Sequence, residues 1–235
     1  MAQPSIVDSG TGTNIGIPKI NSASSLKLDI AIVGAGIASL SAAIPLAQKG
    51  HYITVYESAP ELSEIGAGVQ MTPNAIRLWY SWGLGPDLLK NAALPTGLNV
   101  RRWRDGEMLS YTGLTPDFEQ KFGAPYFVIH RAHIHGVLYE HALKAGVRVQ
   151  VGCRVIDYDY DAPCVTLAQG ERIQADLVVA VDGINSFARS HFMGSEASGP
   201  RRVSTAAYRL IVEVEDLKAD PTTAWIVSSP NLDIW

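Results

Sequence analysis

The residues best equipped for chemistry lie near the N-terminus, in residues 28–57. An apolar run, Ile30 to Val33, stops at Gly34-Ala35-Gly36. A helix-prone stretch follows from about Ser39 to Lys49, with Gly50 where a helix would end, and a second apolar run, Ile53 to Tyr56, closes on Glu57. Strand, glycine turn, helix, strand and acid are the parts of one βαβ dinucleotide-binding unit. Gly34 permits the tight turn. Gly36 lets the backbone approach a pyrophosphate, which then sits on a helix N-terminus, where unpaired N–H groups and the positive dipole end favour anions. Glu57, at the tip of the second strand, can accept both hydrogens of a ribose diol. Ser39 holds the third glycine position, so the helix should lie slightly further from the strand. Pro45 should kink that helix by removing a backbone hydrogen bond. These residues point to a dinucleotide without choosing between FAD and NAD.

The bulk composition suits such a unit. The chain has 235 residues, 47% of them hydrophobic and 18% charged, enough for one good core or one and a half. A formal charge of -4, with no basic block, argues against nucleic acid as a main partner. Cys153 and Cys164 lack metal-ligand spacing and are expected to be reduced core thiols of an intracellular, cytoplasmic protein. No signal-peptide pattern and no membrane-spanning run is apparent. Residues 1–27, rich in Ser, Gly, Thr, Asn and Pro, are expected to form a flexible leader.

Further along, Gly66-Ala67-Gly68 is a loop that allows close approach of something flat or of another backbone. Thr72 should cap a helix with Pro73 at its first position, burying Ile76, Trp79, Tyr80 and Leu84 on one face. Residues 98–111 suggest two strands joined by a two-residue turn, Asp105-Gly106, with Arg101, Arg102 and Arg104 on a solvated face. Residues 112–124 suggest a loop. Tyr126 to Ile129 should be a strand leading into a helix that ends at Gly146. That helix carries His133, His135 and His141 after His130, but their spacing gives no metal site, because residues two apart point to different sides. Val147 to Val151, Val155 to Tyr160 and Val165 to Ala168 alternate like an antiparallel meander inserted into an α/β framework. Ala175 to Val181 predicts a buried parallel strand ending at Asp182-Gly183, with Asn185 or Ser186 capping the next helix. An acid and a glycine at the C-terminal end of a parallel strand lie where ligands bind open α/β sheets. From about Pro200, Val203 to Val214 and Thr223 to Val227 suggest sheet strands.

Three stretches in this order, IVGAGIAS with Glu57, EIGAGVQMTPNAIRLW and AVDGINSFAR, resemble the class A FAD-dependent aromatic monooxygenases, most of all their salicylate hydroxylase-like branch. HRAHIHGVLYEHA also resembles the family's His-Arg-Ala-Asp-Leu helix start, with His133 in place of the usual acid. The resemblance implies an α/β fold: a Rossmann-like FAD-binding domain over 28–199, carrying the inserted β-meander, and the incomplete beginning of a β-sheet substrate domain over 200–235. It implies bound FAD, with Glu57 on the adenosine ribose, Arg131 on the flavin dinucleotide, Gly68 to Gln70 lining the cofactor, and Asp182 and Gly183 serving FAD and the reduced nicotinamide. Arg209 falls where some relatives place an arginine facing the substrate. The implied reaction reduces FAD with NADPH or NADH and hydroxylates a small aromatic or phenolic molecule with O2, by way of the flavin C4a-hydroperoxide, in secondary metabolism. Two departures stand out. The family's later Gly-Asp FAD motif is missing after Arg209, and Ala180-Val181 replaces the usual Gly-Ala before Asp182, so two larger side chains are expected to crowd the cofactor. A truncated, non-catalytic FAD-binding remnant and an NAD-dependent Rossmann dehydrogenase are the alternatives.

Overall fold

The computed structural model describes residues 25–62, 67–194, 199, 201, 203 and 212–224. Most of the expected leader, Gly66 and Arg209 lie outside the described residues.

The chain begins with β1 (Asp29–Val33), whose four residues after Asp29 are all buried. The glycine turn leads into α1 (Ile37–Gln48), and β2 (Tyr52–Tyr56) follows with the same burial. Pro45 falls in the last turn of α1, so the helix runs unbroken past it to Gln48. Next come β3 (Gly68–Met71) and α2 (Pro73–Ser81). Thr72 stands at the N-cap of α2, but its hydroxyl pairs with the Asn74 side chain instead of a helix N–H. Ile76 and Trp79 are buried as expected, and the Trp79 indole N–H donates to Ser41 Oγ on α1 at 3.0 Å.

The short α3 (Gly85–Leu89) and β4 (Ala92–Ala93) lead to a two-stranded ribbon, β5 (Gly97–Arg101) and β6 (Met108–Gly113). Their connection spans 102–107, not two residues, and its arginines are engaged: Arg102 pairs with Asp105 and Glu107, and Arg104 with Asp105. The loop expected over 112–124 is overturned. β6 reaches Gly113, and α4 (Asp117–Phe122) occupies the middle, with Asp117 and Glu119 at its N-terminal end and Gly123, φ 70°, closing it. β7 (Phe127–His130) runs directly into α5 (Arg131–Lys144), where His130 Nδ1 caps the helix by accepting the Ala132 N–H at 3.3 Å.

Then follow β8 (Arg148–Gln150), β9 (Val155–Asp159), β10 (Cys164–Leu167), β11 (Arg172–Gln174), β12 (Leu177–Ala180) and α6 (Phe187–Met193). The expected three-strand meander is half corrected. β9, β10 and β11 form an antiparallel sheet, but β8 pairs in parallel with β2. Ser186, not Asn185, caps α6, accepting the Arg189 N–H at 2.9 Å. Val214 starts a helix, α7 (Val214–Ala219), instead of ending a strand, and Thr223 sits in a turn. The rest of those two expected strands lies mostly outside the described residues.

The main sheet has the order β12-β1-β2-β8, all parallel, with Ile30 beside both Leu177 and Ile53 and Thr54 beside Arg148. Alternate residues of β1 explain its continuous apolar run. Ile30 and Ile32 join the core under α1 and α5, with Leu40, Ala43, Ile44, Ile134 and Leu138. Ala31 and Val33 face the other way, against Leu167, Val165 and Tyr158 of the meander. β12 is parallel as expected but only half-buried; among the described residues it pairs on one side alone.

A surface clamp ties α3 to α5. Asp87 accepts from Lys90 Nζ at 2.6 Å and from His141 Nε2 at 2.8 Å, and these two bonds hold its carboxyl at about 2. A depressed carboxyl contributes stability that is present above its unfolded value and lost as pH falls through the folded one. The stability gap between wild type and Asp87→Asn, followed by urea unfolding from pH 7 downward, should therefore hold through pH 4 and close as pH approaches about 2.

Candidate dinucleotide site

The sheet order places a crevice. From β1 the chain steps to β2 on one side, while β12 pairs on the other, so the C-terminal ends of β12, β1 and β2 flank a topological switch point, where open α/β sheets bind ligands. A cleft of about 350 Å³ opens there, lined by Gly34, Gly36, Glu57, Asp182, Gly183 and Tyr158 among others. Five residues singled out from sequence thus converge on one cavity. A larger hollow of about 560 Å³ lies along the outer edge of β12, lined by Tyr160, Leu177, Ala180, Arg189 and Phe192. None of the expected site residues borders it.

The two glycines differ. Gly34 has φ +97°, and a Cβ there would lie 2.6 Å from the Val181 carbonyl oxygen, so the fold itself requires glycine. Gly36, the N-cap of α1, has an ordinary φ of -75°, and a Cβ there would meet no atom of the described residues within 4 Å. Neither backbone nor packing asks for glycine at 36; the bare backbone leaves space over the helix N-terminus. The first N–H groups of α1 have no acceptor within the helix, and no side chain of the described residues caps them. Ser39, at the third glycine position, is fully buried beneath this turn, and its hydroxyl has no partner among the described residues.

Glu57 is held on both sides. One carboxylate oxygen accepts the Ala35 N–H at 2.7 Å; the other accepts the Ala59 N–H at 2.8 Å and the Ser58 hydroxyl at 3.1 Å. Burial works against its ionisation, but these hydrogen bonds outweigh it and keep the carboxyl below the ordinary glutamate value. Across the cleft, burial likewise opposes ionisation of Asp182, and the Ser186 hydroxyl and the Ala188 N–H, at 3.0 Å from Oδ2, outweigh it. Asp182 therefore also ties β12 to the start of α6. Gly183, φ +83°, turns the chain between them. Of the pair expected to crowd the site, only Val181 lines the cleft. Ala180 faces the outer hollow, as alternation along a strand requires.

The remaining expected residues stand apart. Gly68 and Gln70 are exposed on β3, where Gly68 pairs with His130 and Gln70 with Val128. Arg131 opens α5 next to them, its N–H bonded to the Ala67 carbonyl at 3.1 Å. None of the three borders the cleft, although α5 packs along α1. Arg209 lies outside the described residues. Sequence reasoning missed Arg154 and Cys153, which line the cleft beside Glu57. It also missed Tyr158, whose buried hydroxyl has no partner among the described residues and whose ionisation is suppressed by burial and by nearby Asp182. Cys153 is half-buried and Cys164 buried, both free. His135 was seen only as a metal candidate; it is buried and bonds the Ala35 carbonyl at 2.7 Å. Among the described residues there is no group of acids, histidines and cysteines able to hold a metal, and no helix long and apolar enough to cross a membrane.

Comparison with known proteins adds to this geometry. The family described as FAD binding domain matches residues 27–231. FAD-dependent monooxygenase OpS4 of Beauveria bassiana (strain ARSEF 2860) is 37% identical over 210 residues, covering 88% of this chain and 49% of that protein. 3-Hydroxybenzoate 6-hydroxylase 1 of Aquipseudomonas alcaligenes is 38% identical over 209 residues, covering 84% and 51%. The chain spans about half the length of the curated relatives it matches. Among solved structures, 2-methyl-3-hydroxypyridine-5-carboxylic acid oxygenase aligns with a TM-score of 0.61 at 28% identity, covering 68% of this chain and 41% of that one. CtdE, solved with FAD and a substrate, aligns at 0.60 and 28%, covering 70% and 40%.

Proposed function

Because this chain belongs to the FAD-binding-domain family of the FAD-dependent aromatic monooxygenases, we propose that its switch-point cleft holds the adenosine and pyrophosphate portion of FAD, and that the protein acts in hydroxylating a small aromatic substrate. The observation that carries this reading is Gly36. It is a glycine that no backbone strain and no atom of the described residues demands, set at a helix N-terminus with no side-chain cap among them, near a Glu57 held below the ordinary glutamate value. The donor set fits the group: backbone N–H groups for the diphosphate, and a carboxylate for the ribose diol.

In this reading the α1 N-terminus binds the pyrophosphate, and Glu57 accepts the ribose hydroxyls while its other contacts keep it charged and oriented. Asp182 and Gly183 shape the opposite wall, and Arg131 with Gly68 to Gln70 takes the part of the dinucleotide that extends toward β3. When bound, FAD supplies the redox chemistry, taking electrons from NADPH or NADH and passing an activated oxygen from O2 to the ring. The protein's share is orientation and exclusion of water. We place the protein in the cytoplasm and its substrate among phenols or aromatic acids of secondary metabolism. Arg209 is the residue we assign to the substrate's negative charge, which an arginine pairs well.

The test is FAD content on the purified chain, by absorbance after heat release. Close to one FAD per chain is expected; none would overturn the assignment of this cleft as sufficient for FAD and favour a non-catalytic role. For Arg209→Ala, the expected result is a raised KM for an aromatic acid or phenol, or nicotinamide oxidation uncoupled from hydroxylation. Unchanged coupled turnover would refute the role given to Arg209.

A further inference from the structure

We propose that His135 is a positioning residue for the dinucleotide, holding the Ala35 carbonyl so that the glycine turn presents the α1 amides to the pyrophosphate. The inference rests on the FAD reading of the cleft and adds a residue to it. Ala35 is the middle of Gly34-Ala35-Gly36, and its backbone is held from opposite sides. Its N–H goes to Glu57 Oε2 at 2.7 Å, and its carbonyl is 2.7 Å from His135 Nε2. A carbonyl oxygen can only accept, so Nε2 carries the proton and donates.

The placement is specific. The first helical hydrogen bond of α1 is from Leu40 N–H to the Gly36 carbonyl, one residue past Ala35. His135 supplies the Ala35 carbonyl with a donor from another helix. It does so from within an apolar interface: it is 7% exposed, between Ile134 and Leu138 on α5, which pack with Leu40, Ala43 and Ile44 of α1. A buried imidazole there is tolerated because it is hydrogen-bonded. It also lines a small cavity of about 130 Å³ with Ala35, Gly36, Glu57 and Leu62, behind the turn. Two side chains therefore hold the two peptides that flank the Ala35 Cα, Glu57 the one before it and His135 the one after it, and the second, which carries the Gly36 N–H, aims the amides that follow. Glu57 both touches the ribose and holds the turn; His135 holds the turn from behind and does not border the cleft.

That difference gives the test. Affinities for FAD, ADP and adenosine would be measured by calorimetry on the wild type, His135→Leu and His135→Gln, with thermal melts of each ligand-free chain. Removing the donor should weaken FAD and ADP by about tenfold, the scale of one buried acceptor left unsatisfied. Adenosine, which lacks the diphosphate, should bind all three proteins alike. Gln, whose amide N–H reaches the Nε2 position, should restore most of the loss. Nitrogen-15 spectra of the wild-type ring should show a proton on Nε2. Equal losses for ADP and adenosine would mean a merely structural role and overturn the inference, as would a ring protonated on Nδ1 alone. If the leucine variant fails to fold, a folded glutamine variant that binds ADP about tenfold more weakly overturns it as well. A wild type that binds none of the three probes overturns the FAD reading and this inference with it. A wild type that binds them as expected, matched by His135→Leu, overturns the inference alone.

Discussion

Gly36→Val should abolish FAD binding while leaving the fold intact, whereas Gly34→Ala should damage the fold before any ligand is added. At Gly36 the backbone is in an ordinary conformation, and a side chain would enter open space. The cost to the empty protein is at most the weak preference for glycine over valine at an N-cap, about 1 kcal/mol, or roughly 2–4 °C in Tm. The valine methyls would occupy the space that the backbone leaves over the helix N-terminus, where a pyrophosphate needs direct contact with the amides. At Gly34 even one methyl meets the Val181 carbonyl oxygen at 2.6 Å, and the residue sits at φ +97°. Strain of this kind costs about 1–3 kcal/mol, before the displacement of β12 from β1 is counted. Melting curves with and without FAD, beside equilibrium dialysis with FAD, separate the two. If Gly36→Val binds FAD as the wild type does, the diphosphate does not lie over α1.

The same contrast shows what was legible in the sequence. The βαβ unit was readable because its signals are local: an apolar run, glycines at fixed spacing, a second run and an acid, all within residues 28–57. The division of roles between Gly34 and Gly36 was readable from their places in the motif, but the contact that bars a side chain at Gly34 was not, because it depends on Val181, far away in the chain and brought beside Gly34 by the parallel pairing of β12 with β1. β8 was misassigned for the same reason. Val147 to Val151 alternates like its neighbours, and nothing local distinguishes a strand that pairs with β2 from one that opens a hairpin. α4 left no trace because it buries no residue, so it has no apolar stripe to detect.

Within the site, the residues that sequence found are those whose chemistry shows in their type: the glycines of the turn, Glu57 at a strand tip and Asp182-Gly183 at another. Those it missed act through position. His135 sat among other histidines and invited a metal reading, and its partner is a backbone carbonyl that no side-chain pattern reveals. Tyr158 is buried while Ile156, two residues before it on the same strand, is exposed, which reverses what hydropathy suggests. The expected crowding by Ala180 and Val181 treated neighbours as equivalent. The pleat sends their side chains to opposite faces, and only Val181 reaches the cleft.

Glu57→Ala should be the most damaging side-chain truncation in the cleft, and the effect of pH on the wild type should show why. The carboxylate accepts from Ala35, Ala59 and Ser58 and still faces the cleft. Truncation removes the ribose acceptor and strips the Ala35 and Ala59 N–H groups of their partner, at about 1–3 kcal/mol for each buried donor left unsatisfied. FAD affinity should fall by at least about a hundredfold, since hydrogen bonds to a charged group are worth about 1.5–3 kcal/mol each. Glu57→Gln should fall between, because its amide oxygen can still accept from one side while its NH2 opposes the N–H groups on the other. The folded carboxyl lies below the ordinary glutamate value, so its contribution to stability is fully present above that value and is lost as pH falls through the folded one. FAD affinity in the wild type should accordingly stay flat from pH 8 down to the ordinary glutamate value and decline only below it. In Glu57→Gln, with nothing to titrate at 57, that decline should be absent. An equal decline in both proteins would mean that another group carries it and that Glu57 does not hold the ribose as a carboxylate.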